Sequence, residues 1–262
     1  MLGWETVLKN SLFDLKGRVA LITGSSRGLG FAIAGGLARA GATVALNGRT
    51  QERLASAVSE LTGQGLAAHG FVFDVLQREQ IESQVREIET SIGPIDILVN
   101  NVGNNIRGPL EDFKESTWHE VIDINLTSAW LVSKVVVKGM ISRRSGKIIN
   151  TCSLMSELGR NSTGPYTAAK GGLKMLTRAM AVEWAGHNIQ VNGIGPGYFI
   201  TELTQPLADN PEFDSWLKKR TPAGRWGDVD ELAGTAIFLA SAASSFVSGQ
   251  IIYVDGGVLA SL

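Results

Sequence analysis

Apolar residues recur along this chain in two alternating rhythms. Seven short runs are dominated by apolar, mostly branched side chains: Val19–Thr23, Thr43–Leu46, Ala68–Phe73, Ile95–Val99, Gly146–Thr151, Ile189–Gly193 and Ile251–Val254. Runs of this kind read as buried strands. Between them the spacing turns helical: Gly28–Ala40 (Leu29, Ile33, Leu37 and Ala40), Gln51–Leu61, Arg78–Ser91 (Ile81, Val85 and Ile88), Thr117–Met140, Tyr166–Ala185 and Val229–Leu239. Apolar strands that alternate with helices predict an α/β fold, a parallel sheet covered on both faces. Right-handed crossovers make such a sheet doubly wound. No linker, repeat or low-complexity segment interrupts the pattern, so residues 1–262 read as a single domain. Residues 1–14 form an N-terminal extension. Residues 195–227, with Pro196, Pro206, Pro211 and Pro222, are the one long irregular region expected, and long insertions tend to be binding loops.

Composition narrows the classes. The 262 residues are 44% hydrophobic and 19% charged with a net charge of -1. Arg143, Arg144 and Lys147 form a tight basic cluster that reads as a solvated loop, and no nucleic-acid partner is expected. One cysteine, Cys152, allows no internal disulfide and fits a reducing compartment. The N-terminus carries Glu5, Lys9 and Asp14 and does not read as a signal peptide. No stretch was expected to reach the roughly 20 apolar residues of a membrane span. The expectation is a soluble, cytoplasmic protein with no membrane partner. His69, His119 and His187 are scattered without ligand spacing, so no protein metal site is expected. The six tryptophans, Trp4 to Trp226, read as core or interface.

Thr23-Gly-Ser-Ser-Arg-Gly-Leu-Gly30 stands between the first strand and the first helix. Gly24, Gly28 and Gly30 allow a tight turn and close approach to a pyrophosphate at the helix N-terminus, with Ser25, Ser26, Arg27 and Leu29 between them. Such turns also serve merely to reverse the chain. After the second strand an NAD site usually presents an acid to the ribose 2′-OH. Here the strand ends Asn47-Gly-Arg49-Thr50, and Arg49 with Arg27 can clamp the 2′-phosphate of NADP(H). Both are otherwise ordinary exposed arginines. Asp74-Val75 follows the third strand, where Asp74 can accept from an adenine amino group or cap the next helix. After the fourth strand comes Asn100-Asn101-Val102-Gly103; asparagines there can tie the backbone while Gly103 lets a cofactor pass.

Ser153 ends the fifth strand, and thirteen positions later comes Tyr166-Thr-Ala-Ala-Lys170. Tyr and Lys at i and i+4 share a helix face. A free phenol titrates near about 10, and a neighbouring ammonium lowers that value. Tyr166 can then exchange a proton with a substrate oxygen that Ser153 also holds, while hydride moves to or from a nicotinamide. Asn125 can hold a water that links Lys170 to solvent. A Y-x-x-x-K pair alone usually marks a solvated helix face; its company carries the weight. Cys152 is expected to be buried rather than nucleophilic.

The ordered set Thr23 to Gly30, Asp74, Asn100 to Gly103, Asn125, Ser153, Tyr166, Lys170 and Pro196-Gly197 resembles the short-chain dehydrogenase/reductase family, from about Leu15 to Gly257. The resemblance implies a Rossmann fold with a seven-stranded sheet, a homotetramer, and catalytic Ser153, Tyr166 and Lys170 with Asn125 as fourth member. It implies Pro196, Gly197, Phe199 and Thr201 around the nicotinamide, with Tyr166 and Lys170 also at the cofactor. Val102 replaces a usual Ala and Cys152 a usual Ser, and neither removes a reacting group. The run Cys152-Ser-Leu-Met-Ser-Glu-Leu-Gly-Arg160 is similar to that of gluconate 5-dehydrogenases, as are His187–Gly193, Pro196–Phe199, Lys219–Ala223 and Arg225–Asp228. This implies interconversion of D-gluconate and 5-keto-D-gluconate.

A sugar acid needs a cation for its carboxylate and polar groups for its hydroxyls. Arg107, Glu157 and Arg160 are placed to meet it, beside Ser153 and Tyr166. Glu157 and Arg160 read equally as a structural ion pair. A 3-oxoacyl-carrier-protein reductase shares nearly all these motifs, but no basic patch for an acidic carrier is visible. A non-catalytic dinucleotide-binding regulator would not need the full Ser153, Tyr166 and Lys170 set.

Overall fold

The computed structural model describes residues 12–202 and 204–262. Residues 1–11 of the N-terminal extension, Trp4 among them, lie outside the described residues. The strands are β1 (Val19–Ile22), β2 (Thr43–Gly48), β3 (Ala68–Val72), β4 (Ile95–Asn100), β5 (Gly146–Thr151), β6 (Ile189–Pro196) and β7 (Ile251–Val254). The helices are α1 (Gly28–Arg39), α2 (Gln51–Gly63), α3 (Arg78–Ser91), α4 (Glu115–Ile122), α5 (Ser128–Arg143), α6 (Gly164–Trp184), α7 (Gln205–Ala208), α8 (Pro211–Arg220) and α9 (Ala233–Ala240). All seven strands join one sheet in the order β3-β2-β1-β4-β5-β6-β7, and every neighbouring pair is parallel. The doubly wound α/β expectation therefore holds.

Strand β1 shows why the sheet is covered twice. Successive side chains point to opposite faces. Ala20 and Ile22 join a core with Ile33 and Leu37 of α1, Leu54 and Leu61 of α2 and Leu239 of α9. Val19 and Leu21 join a second core with Ile81 and Val85 of α3, Val132 and Val136 of α5 and Met180 of α6. With no solvated face, the strand needs no polar alternation, which is the pattern in its sequence. Truncating fully buried Leu21 to Ala costs about 2–5 kcal/mol.

Two stretches differ from the sequence reading. The helix expected over Thr117–Met140 is α4 and α5 joined through a π-helical turn, Asp123–Thr127. The combined run, Glu115–Arg143, is long and apolar enough by composition to cross a membrane, contrary to the expectation above. Val132, Val136, Val137 and Met140 on it are buried in the second core, so its apolarity serves the fold. The region 195–227 is not irregular throughout: β6 extends to Pro196 and α7 and α8 occupy its middle. Pro206 and Pro211 open those helices instead of breaking them, since the first turn has no need of the missing N–H. Asn210 caps α8 by accepting from the Phe213 amide at 3.0 Å.

Strand order reverses between β1 and β4. In an open parallel sheet, ligands bind beyond the strand C-termini at such a switch point. The Gly-rich turn, Asn100–Gly103, Ser153 and Pro196-Gly197 all lie at that end.

Candidate active site

The glycine turn is held by buried side chains. Gly24 and Gly28 have φ of 61° and 58°, the left-handed region that favours glycine. A Cβ on Gly30 would collide with Asn101 Nδ2 and with the Gly24 carbonyl. The Asn101 side chain donates to the carbonyls of Thr23 and Gly24, each at 3.1 Å, which is the backbone tie expected. Ser25 is buried; its hydroxyl donates to the Ile22 carbonyl at 2.7 Å and accepts from the Asn47 amide at 3.0 Å. Its amide donates to the Asn47 carbonyl at 2.9 Å, so its polar groups hold the turn in shape. Asn47 was not singled out in the sequence, yet its Oδ1 accepts from the Gly24 amide at 3.1 Å while Nδ2 donates to the Phe73 carbonyl at 3.0 Å. Its place one residue before Gly48-Arg49 was the available signal.

The N-terminus of α1 has no side-chain cap and no acid in its first turn. Its orphan N–H groups and partial positive charge suit a pyrophosphate. Arg27 and Arg49 are exposed beside it. Arg27 Nη1 pairs with Glu202 at 2.9 Å. Thr50 stands at the start of α2 without a capping bond. Asp74 does not cap α3; Gln77 holds that position. Asp74 Oδ1 instead accepts from the Leu76 amide at 2.9 Å, a tight turn that keeps the carboxylate at the sheet end, with Val75 buried behind it. Thr201 stands across the turn, its Cγ2 3.9 Å from a Cβ built on Gly28. Gly197 passes so near Asp255 that a Cβ would lie 2.7 Å from its Cα, and Phe199 is buried in the first core. Glycines at 24, 28 and 103, a bare helix N-terminus and two cations therefore fit a phosphorylated dinucleotide.

Ser153, Tyr166, Lys170 and Asn125 converge at the ends of β5 and α6. Ser153 caps a short 3₁₀ turn, its hydroxyl accepting from the Met155 amide at 3.2 Å. Lys170 is buried; Nζ donates to the Thr151 carbonyl at 2.7 Å and lies 5.6 Å from the Tyr166 ring centre. Burial draws the Lys170 ammonium down to about 8. The Tyr166 phenol, expected to be lowered by that ammonium, is instead pushed up by burial, with the Ser153 hydroxyl opposing. Asn125 sits on the π-helical turn, and its Nδ2 donates to the carbonyls of Val121 at 2.9 Å and Asn104 at 2.8 Å. Its buried Oδ1 has no partner among the described residues. A Cβ on Gly103 would stand 2.6 Å from that oxygen and 3.5 Å from Lys170 Nζ. Asn125 Oδ1 and Lys170 Nζ thus both lie beside Gly103. A π-turn often marks a functional site, and periodicity alone did not show it.

Of the candidates for substrate, Arg107 is exposed in the loop after Gly103. Its neighbour Gly108 donates its amide to the Ser162 carbonyl at 3.2 Å, which joins that loop to the one before Tyr166. Glu157 and Arg160 do not pair with each other. The Glu157 carboxylate takes Lys174 Nζ at 2.6 Å and the Tyr253 hydroxyl at 2.8 Å, which hold its pKa down. It ties the catalytic loop to α6 and β7 and offers no free carboxylate. Arg160 Nη1 donates to the Tyr198 hydroxyl at 2.6 Å, and its guanidinium lies over the Phe213 and Trp216 rings. Trp226 completes that cluster against Tyr198. Nothing in the sequence announced it, because its members are spread from position 160 to 226. Cys152 is buried and its thiol is pushed up to about 11 by desolvation, which keeps it inert.

Comparison with known proteins agrees with this geometry. Residues 24–259 match the family described as Enoyl-(Acyl carrier protein) reductase. The chain is 54% identical over 253 residues to the 2-dehydro-3-deoxy-D-gluconate 5-dehydrogenase of Formosa agariphila, covering 96% of each. It is 51% identical to the 5-keto-D-gluconate 5-reductase of Escherichia coli, covering 97% of this chain and all of that one (100%). A gluconate 5-dehydrogenase from Burkholderia cenocepacia J2315, solved in complex with NADP and tartrate, superposes with a TM-score of 0.93 at 50% identity, over 96% of this chain and 99% of that one. Fold, ordered site residues and relatives together establish that this chain belongs to the short-chain dehydrogenase/reductase family.

Proposed function

We propose that the protein is an NADP(H)-dependent oxidoreductase acting at carbon 5 of a six-carbon sugar acid, interconverting D-gluconate and 5-keto-D-gluconate. One observation carries the chemistry: Ser153, Tyr166, Lys170 and Asn125 gather at the strand ends beside the glycine turn. The relatives' names supply the substrate class, and tartrate, bound by the Burkholderia protein, is itself a hydroxylated carboxylate.

The cradle residues are Gly24, Ser25, Ser26, Arg27, Gly28, Leu29 and Gly30 for the pyrophosphate, with Arg27, Arg49 and Thr50 for the 2′-phosphate. Asp74 and Val75 take the adenine. Asn101, Val102, Gly103, Pro196, Gly197, Phe199 and Thr201 flank the nicotinamide end with Tyr166 and Lys170. NADPH, when bound, supplies a hydride to the carbonyl carbon. The chain's own part is proton transfer. Tyr166 gives its phenolic proton to the substrate oxygen. Ser153 donates a second hydrogen bond to the same oxygen. Lys170 and a water on Asn125 Oδ1 return a proton to the tyrosine. In the oxidative direction the same phenol must lose its proton, so a cation close to it is required. Arg107 holds the substrate carboxylate at the cleft rim. The exposed apolar side chains of Trp130 on α5 and Met175 and Val182 on α6 support assembly of a homotetramer through these helices.

The Formosa relative's name favours a second substrate, 2-dehydro-3-deoxy-D-gluconate, which is oxidised at the same carbon. An assay with NADP⁺ and each acid separately decides between them, and activity with neither overturns the proposal.

A further inference from the structure

Arg160 is a cation with no anion partner among the described residues: it enters no salt bridge there. Of the two carboxylates on α8, Glu212 and Asp214, Asp214 is taken by Lys218 at 2.7 Å and by the Trp226 indole N–H at 2.8 Å. The Arg160 guanidinium instead stands 5.9, 5.1 and 5.5 Å from the ring centres of Tyr198, Phe213 and Trp216. A guanidinium over several rings gains cation–π attraction, and its planar fork stacks where an ammonium does not. The rings lock one another: Tyr198 meets Trp226 at 5.9 Å and 88°, and Phe213 meets Trp216 at 5.2 Å and 42°.

Chain position gives this cluster its meaning. Arg160 lies midway between Ser153 and Tyr166, on the one segment that carries both. Its carbonyl accepts from the Thr163 hydroxyl at 2.8 Å, just before α6 begins. Tyr198 follows β6, and Phe213 and Trp216 belong to α8. We propose that Arg160 is a positioning residue: through Tyr198, Phe213 and Trp216 it fixes α8 against the Ser153–Tyr166 segment and so sets the wall that presents a substrate to Tyr166. This rests on the reading of the cleft as a carbonyl-reducing site and goes beyond it, because it assigns Arg160 to the wall and not to the substrate carboxylate.

The test compares wild type, Arg160→Lys, Arg160→Gln, Tyr198→Phe and the Arg160→Gln/Tyr198→Phe double variant. Each is assayed on 5-ketogluconate and on a neutral hydroxyketone of similar size, with NADPH affinity as the check on folding. A wall role predicts that kcat/KM falls about tenfold for both substrates in Arg160→Gln, and that Lys does not rescue it. The double variant should be no worse than the poorer single one, because both break one contact. Tryptophan emission of the substrate-free protein should change in Arg160→Gln, and the change should vanish in a Trp216→Phe background. Loss confined to the anionic substrate, with rescue by Lys, would make Arg160 the carboxylate anchor and overturn the proposal. Unchanged kinetics and emission would overturn it also. If the arginine variants lose NADPH binding, Tyr198→Phe decides alone, since it keeps the ring and removes only the hydrogen bond: an unaltered kcat/KM contradicts the proposal, and a fall on both substrates supports it. If wild type reduces no sugar acid, the substrate reading fails by itself, and the emission comparison still tests Arg160.

Discussion

The Arg27 guanidinium and the Glu202 carboxylate meet at 2.9 Å, joining the glycine turn after β1 to the segment after β6. Their side chains are 52% and 71% exposed, so the pair is worth about 0–1 kcal/mol. A 2′-phosphate seated on Arg27 must compete with Glu202. Glu202→Gln is therefore expected to tighten NADPH binding by up to about fivefold and to leave NADH nearly unchanged. Fluorescence titration of both cofactors checks this, and weaker NADPH binding in the variant would contradict it.

Arg49 is exposed at the end of β2, where an acid would select NADH. Arg49→Ala should weaken NADPH by about tenfold or more, the loss of one charge-assisted hydrogen bond. NADH binding should hardly move. Equal loss for the two cofactors would show that Arg49 acts through folding.

Buried Lys170 gives a stability prediction of definite sign. Its folded pKa of about 8 lies below the ordinary 10.5. At pH 7 the folded chain carries a desolvated ammonium, and the cost is present in full. Between about 8 and 10.5 the folded form has released a proton that the unfolded form still binds, so stability rises with pH there. Lys170→Met should raise Tm at pH 7 by about 2 °C or more while abolishing turnover, and this gain should shrink toward pH 10. Lys147, drawn to about 8 chiefly by burial, is common to both proteins and cancels. A gain that grows with pH would contradict the assignment.

Arg107 is exposed in the loop after Gly103. Binding energy from a remote carboxylate helps position the reacting carbon. Arg107→Ala is expected to raise KM for 5-ketogluconate far more than for the neutral hydroxyketone. Equal effects on the two would mean that the loop was merely disturbed.

Much of this was legible in the sequence, for identifiable reasons. Strands buried on both faces write themselves as unbroken apolar runs, so Val19–Ile22 and Thr43–Leu46 could be read directly. Gly24, Gly28 and Gly30 are visible because turn and close approach demand glycine. The Tyr166–Lys170 spacing is visible because a helix repeats every 3.6 residues. What stayed hidden depends on tertiary approach. Asn47 acts through carbonyls on β3. The π-turn around Asn125 adds one residue to a helix whose apolar pattern reads through it. Pro206 and Pro211 signal a break or a start with the same letter. Glu157 and Arg160, three residues apart, looked like a pair, yet Lys174 and Tyr253 claim one while the Tyr198 cluster claims the other.

The central claim is tested most directly by steady-state turnover of wild type and Tyr166→Phe side by side. NADPH oxidation is followed with 5-ketogluconate, 2-ketogluconate and an acetoacetyl thioester, and NADP⁺ reduction with D-gluconate and 2-dehydro-3-deoxy-D-gluconate. The account predicts that wild type prefers a substrate reacting at carbon 5. It predicts that Tyr166→Phe loses at least about 10² in turnover while still binding NADPH. Preference for the thioester, or a Tyr166→Phe enzyme that turns over at the wild-type rate, would contradict it.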